Sequence, residues 1–356
     1  MPTPHHVPLA EQTRDGLVES VHYGSLIALG PEGTGPGNAE GTGPGNAKGT
    51  STGPGTGTGT DTKVTAGDPD APIYPRSSLK PLQAVALLRA GLKLEQDLLA
   101  LTAASHSGAA MHQDGARRIL EMHGLNEEAL ANSTDLPYGV AEREEWLRAG
   151  NGPTQLAQNC SGKHASMAAV CTINGWPVEG YLNPEHPLQV LVRDTITELT
   201  GEDAAAVSTD GCGTPLFAHS LRGMARAYGR LASASPESHE GQVAHAMRAF
   251  PEMVAGEGRD VTAMMRAVPG LLAKDGFEGL QLIGLADGTG VAIKISDGGD
   301  RARLPVTVRV LAELGVDADS LAALQIPPVL GGGKPVGVLR AAAFLPAADF
   351  QTTPAS

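Results

Sequence analysis

Cysteine, aromatic residues and positive charge are all scarce in this chain, and each scarcity closes off a class of function. Three cysteines in 356 residues, Cys160, Cys171 and Cys212, are too few for a disulfide framework, so each thiol is read as packing, metal ligand or nucleophile. Aromatic residues make up 3% of the chain, which argues against base-stacking platforms and implies a core of Ala, Leu, Val and Met. Lys and Arg number 26 against 39 Asp and Glu, and the net charge of −13 disfavours a nucleic acid or an anionic membrane as partner. No apolar run approaches the length of a membrane span, and the first residues have neither a basic start nor an apolar stretch of the secretory kind. The expectation is a cytoplasmic protein with a small-molecule ligand.

What is present begins with an odd composition. Gly33–Glu40 is repeated almost unchanged as Gly41–Lys48, and Gly, Thr and Pro continue to Thr60. Such residues bury no apolar surface, so 31–62 reads as a flexible insertion in a hairpin. The arms of that hairpin are a strand over Gly16–Leu29 and a returning strand from Lys63. Two alternating runs near the other end, Leu280–Leu285 and Gly290–Ile295, form a second hairpin across Asp287-Gly-Thr-Gly. Helical spacing fills the middle, for example through Val85, Leu88 and Leu92, and again over Leu221–Leu231. Strands at both ends with helices between them predict an α+β class: one antiparallel sheet assembled from both termini, helices packed on and beside it, and a single domain over 1–356.

Chemistry-bearing residues concentrate in a few short stretches. Asn159-Cys160-Ser161-Gly162-Lys163-His164 packs a thiol, a hydroxyl, an amine and an imidazole into six residues, a density that a buried core does not favour. Cys160 at a helix N-terminus is expected to have a lowered thiol pKa, with Lys163 three residues on and on the same face. Ser77 and Lys80 form S-x-x-K at a helix start, where the amine is placed to take the hydroxyl proton. Ser105-His106-Ser107-Gly108 is a polar knot after an alanine-rich run, and Asp210-Gly-Cys212-Gly is read as a turn between a short apolar run and a helix. Lys274-x-Gly276 precedes the second hairpin.

In their order along the chain, these motifs resemble the penicillin-recognising serine hydrolases and glutaminases. More specifically, the chain resembles the asparaginase family typified by the rhizobial inducible enzyme. The matching stretches include Pro75-Arg-Ser-Ser-Leu-Lys-Pro-Leu-Gln83, Ser105-His-Ser-Gly108, Asn159-Cys-Ser-Gly-Lys-His164, Thr209-Asp-Gly-Cys-Gly213 and Ala292-Ile-Lys-Ile-Ser-Asp-Gly298. The resemblance implies a β-lactamase and penicillin-binding-protein-like α+β fold, a homodimer, and hydrolysis of the side-chain amide of L-asparagine to aspartate and ammonia. It implies one Ser-Lys pair from Ser77 and Lys80 and a second from Ser105 and Lys274. It further implies a zinc site at Cys160, Lys163 and Cys212, either structural or substrate-orienting. Arg76, Asp210, His164 and Asn159 are the candidate substrate contacts, and Lys294 is the weaker alternative to Lys274. Departures from the family pattern, at Ala109-Ala110, Ala157-Gln158 and Ser166, leave those residues in place but bear on the substrate pocket. Glutaminase or other amidase activity on the same fold, and a weakly active zinc or thiol sensor, are the alternative readings.

Overall fold

The computed structural model describes residues 4–32 and 61–344, so the repetitive part of the 31–62 insertion lies outside the described residues. The strand Leu17–Leu29 organises a seven-stranded antiparallel sheet. One edge of it pairs with Val7–Arg14 along the first half and with Thr62–Ala66 along the second. Gly290–Ile295 takes the other edge, followed by Leu280–Gly284 and then Leu272–Gly276. Leu339–Ala341 closes the opposite side against Val7–Arg14. The α+β sheet built from both ends of the chain is therefore as expected.

Burial explains the central strand. Leu26, Ile27, Ala28 and Leu29 are all buried in succession, the pattern of a strand covered on both faces. The helices Leu221–Ser233 and Arg303–Glu313 both pack on the sheet. Beside it, a helical region includes Lys80–Arg89, Gln96–Thr102, Ala110–Met122, Ser161–Asn174 and Pro187–Thr200. The helix Ser161–Asn174 is rich in small residues because it lies close to its neighbours: a Cβ on Gly162 would come within 2.5 Å of Leu101 Cγ.

Three local features qualify that picture. Val7–Arg14 is a strand that its sequence does not announce, since Pro8 and the polar run Glu11–Arg14 break any apolar alternation. The Asp210-Gly-Cys212-Gly turn is the tip of a small hairpin between Val207–Thr209 and Pro215–Phe217, not a strand-to-helix turn. The helix Ala110–Met122 carries Ile119, Leu120 and Met122 and is followed by a separate 3₁₀ turn at Glu127–Ala129. No helix among the described residues is long and apolar enough to cross a membrane.

Candidate active site

Ser77 and Lys80 stand where a 3₁₀ turn, Arg76–Leu79, runs into the helix Lys80–Arg89. Pro81 in the first helical turn suits that start, because its missing N–H has no intrahelical acceptor there in any case. The turn is pinned from two sides, by Tyr228 Oη donating to Ser78 O at 2.7 Å and by Ser78 Oγ donating to Pro75 O at 2.7 Å. Arg76 is held at φ 53°, a left-handed conformation that costs a non-glycine residue about 1–3 kcal/mol. The strand Leu272–Gly276 crosses just in front of it: a Cβ on Gly276 would lie 2.5 Å from Pro75 O. The glycine of Lys274-x-Gly276 is thus required by the backbone that leads into Ser77.

Two buried lysines meet here. Lys80 Nζ donates to Ala104 O at 2.6 Å and to Ser105 Oγ at 3.0 Å. Lys274 Nζ donates to Asp275 O at 2.9 Å and to Asp275 Oδ1 at 2.5 Å. Burial pushes Lys274 down to about 8; the charge of Lys80 adds to that lowering and Asp275 opposes it. Burial alone would raise Asp275, but Lys274, Arg259 and Arg303 outweigh it and hold the carboxyl well below its ordinary range. Arg259 Nη2 is 2.8 Å from Asp275 Oδ2. The expected pairs, Ser77 with Lys80 and Ser105 with Lys274, are therefore not the hydrogen-bonded ones. Lys80 reaches Ser105, and Lys274 reaches Asp275.

Ser77, Ser105, Asn159, Tyr138, Asp275 and Phe277 line one cavity of about 20 Å³, room for roughly one water. Ser77 is half-buried, and its hydroxyl makes no hydrogen bond among the described residues. Arg76 points the other way: its Nε donates to Asp210 Oδ1 at 2.7 Å, and its guanidinium lies over Phe277, 5.3 Å from the ring centroid. Arg76 and Asp210 border a separate open cleft that also contains Lys294. Lys294 Nζ is engaged there by backbone carbonyls of Glu278 and Ile295, on a different wall from Ser105 and Lys80.

A second cluster lies behind Asn159. Cys160 caps the helix Ser161–Asn174; its N–H donates to Gln158 Oε1 at 2.9 Å and its thiol to Asn159 Oδ1 at 3.1 Å. One turn on, buried Lys163 donates to Cys212 Sγ at 3.2 Å and to Thr214 Oγ1 at 3.0 Å. The neighbouring Cys160 thiol, followed by the charge of Lys163, holds Cys212 well below the usual thiol range. The Cys212 sulfur, with burial, pushes Cys160 up. The lowered thiol expected at Cys160 is therefore at Cys212, because one buried site stabilises a single thiolate and Lys163 sits against Cys212. Burial acts to lower Lys163, yet the two sulfurs outweigh it and raise it. Burial takes His164 down to about 4; its Nδ1 is 2.8 Å from Tyr181 Oη, and Nε2 is buried without a partner.

Two sulfurs and one amine thus converge, a donor set that suits zinc with one position left open. The fit depends on Lys163 as third donor, since no group of three or more His, Cys, Asp or Glu side chains among the described residues is arranged to hold a metal. His106 ties the two clusters together. Its backbone N–H donates to Asn159 O at 3.2 Å, and its Nε2 is 2.9 Å from Ser161 Oγ.

The family model for L-asparaginase II matches residues 56–341. The chain belongs to that family. Membership makes it an amidohydrolase with a small-molecule substrate. No curated protein sequence matches the chain. Among solved structures, a Bacteroides dorei DSM 17855 protein with a provisional beta-lactamase assignment overlaps it at a TM-score of 0.41. Identity there is 11%, over 80% of this chain and 92% of the other, and a likeness at that level says nothing about substrate. For this L-asparaginase II member, sequence reasoning missed Asp275, Arg259, Tyr138 and Thr214. Only Asp275 left a signal, as the middle residue of Lys274-x-Gly276.

Proposed function

We propose that the chain hydrolyses the side-chain amide of L-asparagine to L-aspartate and ammonia through a serine acyl-enzyme, with zinc held by Cys160, Lys163 and Cys212. The observation that carries this reading is the pair of buried lysines around a serine-lined cavity, one of them held down to about 8. A neutral lysine amine has two N–H bonds and one lone pair. Ala104 O and Ser105 Oγ take both N–H positions of Lys80, which leaves its lone pair as the remaining place to receive a proton. Ser77 Oγ, one helical turn away and unbonded, attacks the amide carbon as Lys80 takes its proton. Backbone N–H groups beside Ser77 are the proposed donors for the oxyanion. The proton returns to the departing nitrogen, ammonia leaves, and water cleaves the ester to free aspartate and Ser77. Lys274 is the second base, for the water. Arg76, next to Ser77 in the chain, and its ion-pair partner Asp210 are the charges proposed to meet the α-carboxylate and α-ammonium of the amino acid, in the cleft beside the Ser77 cavity.

Bound zinc would supply a positive charge for a polar end of the substrate and a link between the 160–174 helix and the 207–217 hairpin. Direct contact between Lys80 and Ser105 favours a second reading in which Ser105 is the nucleophile. Hydroxylamine separates the two, because it traps an acyl-enzyme as β-aspartyl hydroxamate. Ser77→Ala that still forms hydroxamate from asparagine at the parent rate eliminates Ser77. A chain that releases ammonia from glutamine and not from asparagine eliminates the substrate assignment.

A further inference from the structure

A second cleft, of about 580 Å³, adjoins the active-site cavity, and Tyr138 and Asp300 line both. Its size is that of a small-molecule pocket. One wall is apolar, formed by Pro327, Pro328, Val329 and Leu339. The other carries three arginines and two aspartates, and the pairing among them is unequal. Both aspartates are engaged by Arg303: Asp260 at 3.1 Å and Asp300 at 3.1 Å, with Gln281 Oε1 accepting a third bond from it at 2.9 Å.

Arg301 and Arg259 are different. Arg301 Nε donates to His22 Nε2 at 2.9 Å and its Nη1 to Gln12 Oε1 at 2.9 Å, and it makes no ion pair among the described residues. Glu19 and Asp297 are near enough to feel its charge but are bound to Arg14 and His22. Because an arginine nitrogen only donates, His22 Nε2 must accept, which places the ring proton on Nδ1, and that proton is donated to Asp297 at 2.6 Å. The chain Asp297–His22–Arg301 fixes the guanidinium at the cleft. Arg259 lies 4.7 Å from the Tyr138 ring centroid, and its Nη1 is buried with no hydrogen-bond partner. A fork of donors with no carboxylate on Arg301, an unpartnered donor on Arg259 and an apolar wall opposite describe one kind of occupant.

We propose that this cleft binds a small monocarboxylate with an apolar body, distinct from the amide substrate, its carboxylate held by Arg301 and Arg259 and its body against Pro327, Pro328 and Leu339. The site does not depend on the asparaginase reading, because binding itself is the readout. Isothermal titration of the full chain with phenylacetate is expected to show one saturable site. Arg301→Gln should weaken it at least tenfold, and Arg301→Lys, which keeps the charge but loses the fork, by less; neither should alter ammonia release in the absence of probe. Neutral 2-phenylethanol and inorganic phosphate should bind at least tenfold more weakly. Four results overturn the proposal: no phenylacetate binding at millimolar concentration, equal binding by the folded Arg301→Gln variant, phosphate matching phenylacetate, or displacement of phenylacetate by asparagine.

Discussion

Replacing Asp275 with asparagine should move the alkaline-activated limb of the pH–rate profile to lower pH. Lys274 acts when neutral, so its contribution rises with pH through a value of about 8, and roughly a tenth of it is neutral at pH 7. Asp275 Oδ1 lies 2.5 Å from Nζ and favours the protonated amine. Removing an opposite charge at that range lowers a lysine by about one to three units. Arg259, which also acts to lower Lys274, would then be less opposed. A two-unit drop makes about nine-tenths of Lys274 neutral at pH 7. The same change leaves Arg259 without its carboxylate and should destabilise the fold by about 3–5 kcal/mol, so each enzyme is compared with its own plateau rate. Titration of the ε-¹³C lysine resonance, assigned with Lys274→Gln, gives the pKa independently of turnover. A limb that stays near pH 8 in Asp275→Asn, or moves upward, refutes the assignment of Lys274 as the titrating base. The parent protein offers a linked check. Between about 8 and 10.5 the unfolded chain holds a proton on Lys274 that the folded chain has released. Stability measured in urea should therefore rise across that window, by up to about 3 kcal/mol.

The sulfur–amine cluster should carry about one zinc per chain, lost in Cys212→Ala and kept in Cys171→Ala by elemental analysis. Protons compete for Cys212, Cys160 and Lys163, so zinc occupancy should fall as pH falls; occupancy unchanged from pH 8 to pH 5 contradicts that donor set. Gly276→Ala forces a Cβ against Pro75 O and should cost about 1–3 kcal/mol in urea unfolding, with a loss of activity greater than the loss of stability explains. Asp210→Asn removes the charge facing Arg76 and should raise KM for asparagine with a smaller effect on kcat; the reverse pattern would place Asp210 in the chemical step.

How much of this was legible beforehand depends on the kind of signal. Strands with apolar alternation, such as Leu280–Gly284 and Gly290–Ile295, were readable, because their side chains repeat with the period of the pleat. Val7–Arg14 was not, since its own residues do not alternate and its pairing is completed by the adjacent Leu17–Gly24 and the remote Leu339–Ala341. The site shows the same division. Ser77, Lys80, Ser105 and Lys274 stand in recognisable local spacings, yet which lysine touches which serine is decided by tertiary packing. Spacing put Lys80 on the face of Ser77, whereas the loop after Gln96–Thr102 brings Ala104 O and Ser105 Oγ to its amine. The thiol assignment failed for a related reason. A helix N-terminus lowers a thiol in isolation, but a second thiol on a remote hairpin competes for the single charge, and Lys163 favours that one.

The pairing of Leu29 with Gly290 has a consequence for synthesis on the ribosome. At about 5–20 residues per second, the partner of the central strand emerges roughly ten to fifty seconds after the strand itself. Throughout that interval Leu26, Ile27 and Leu29 have an unoccupied edge able to pair with another nascent chain. The protein should accordingly lean on chaperones during expression, and aggregate more when translation between the two strands is slow.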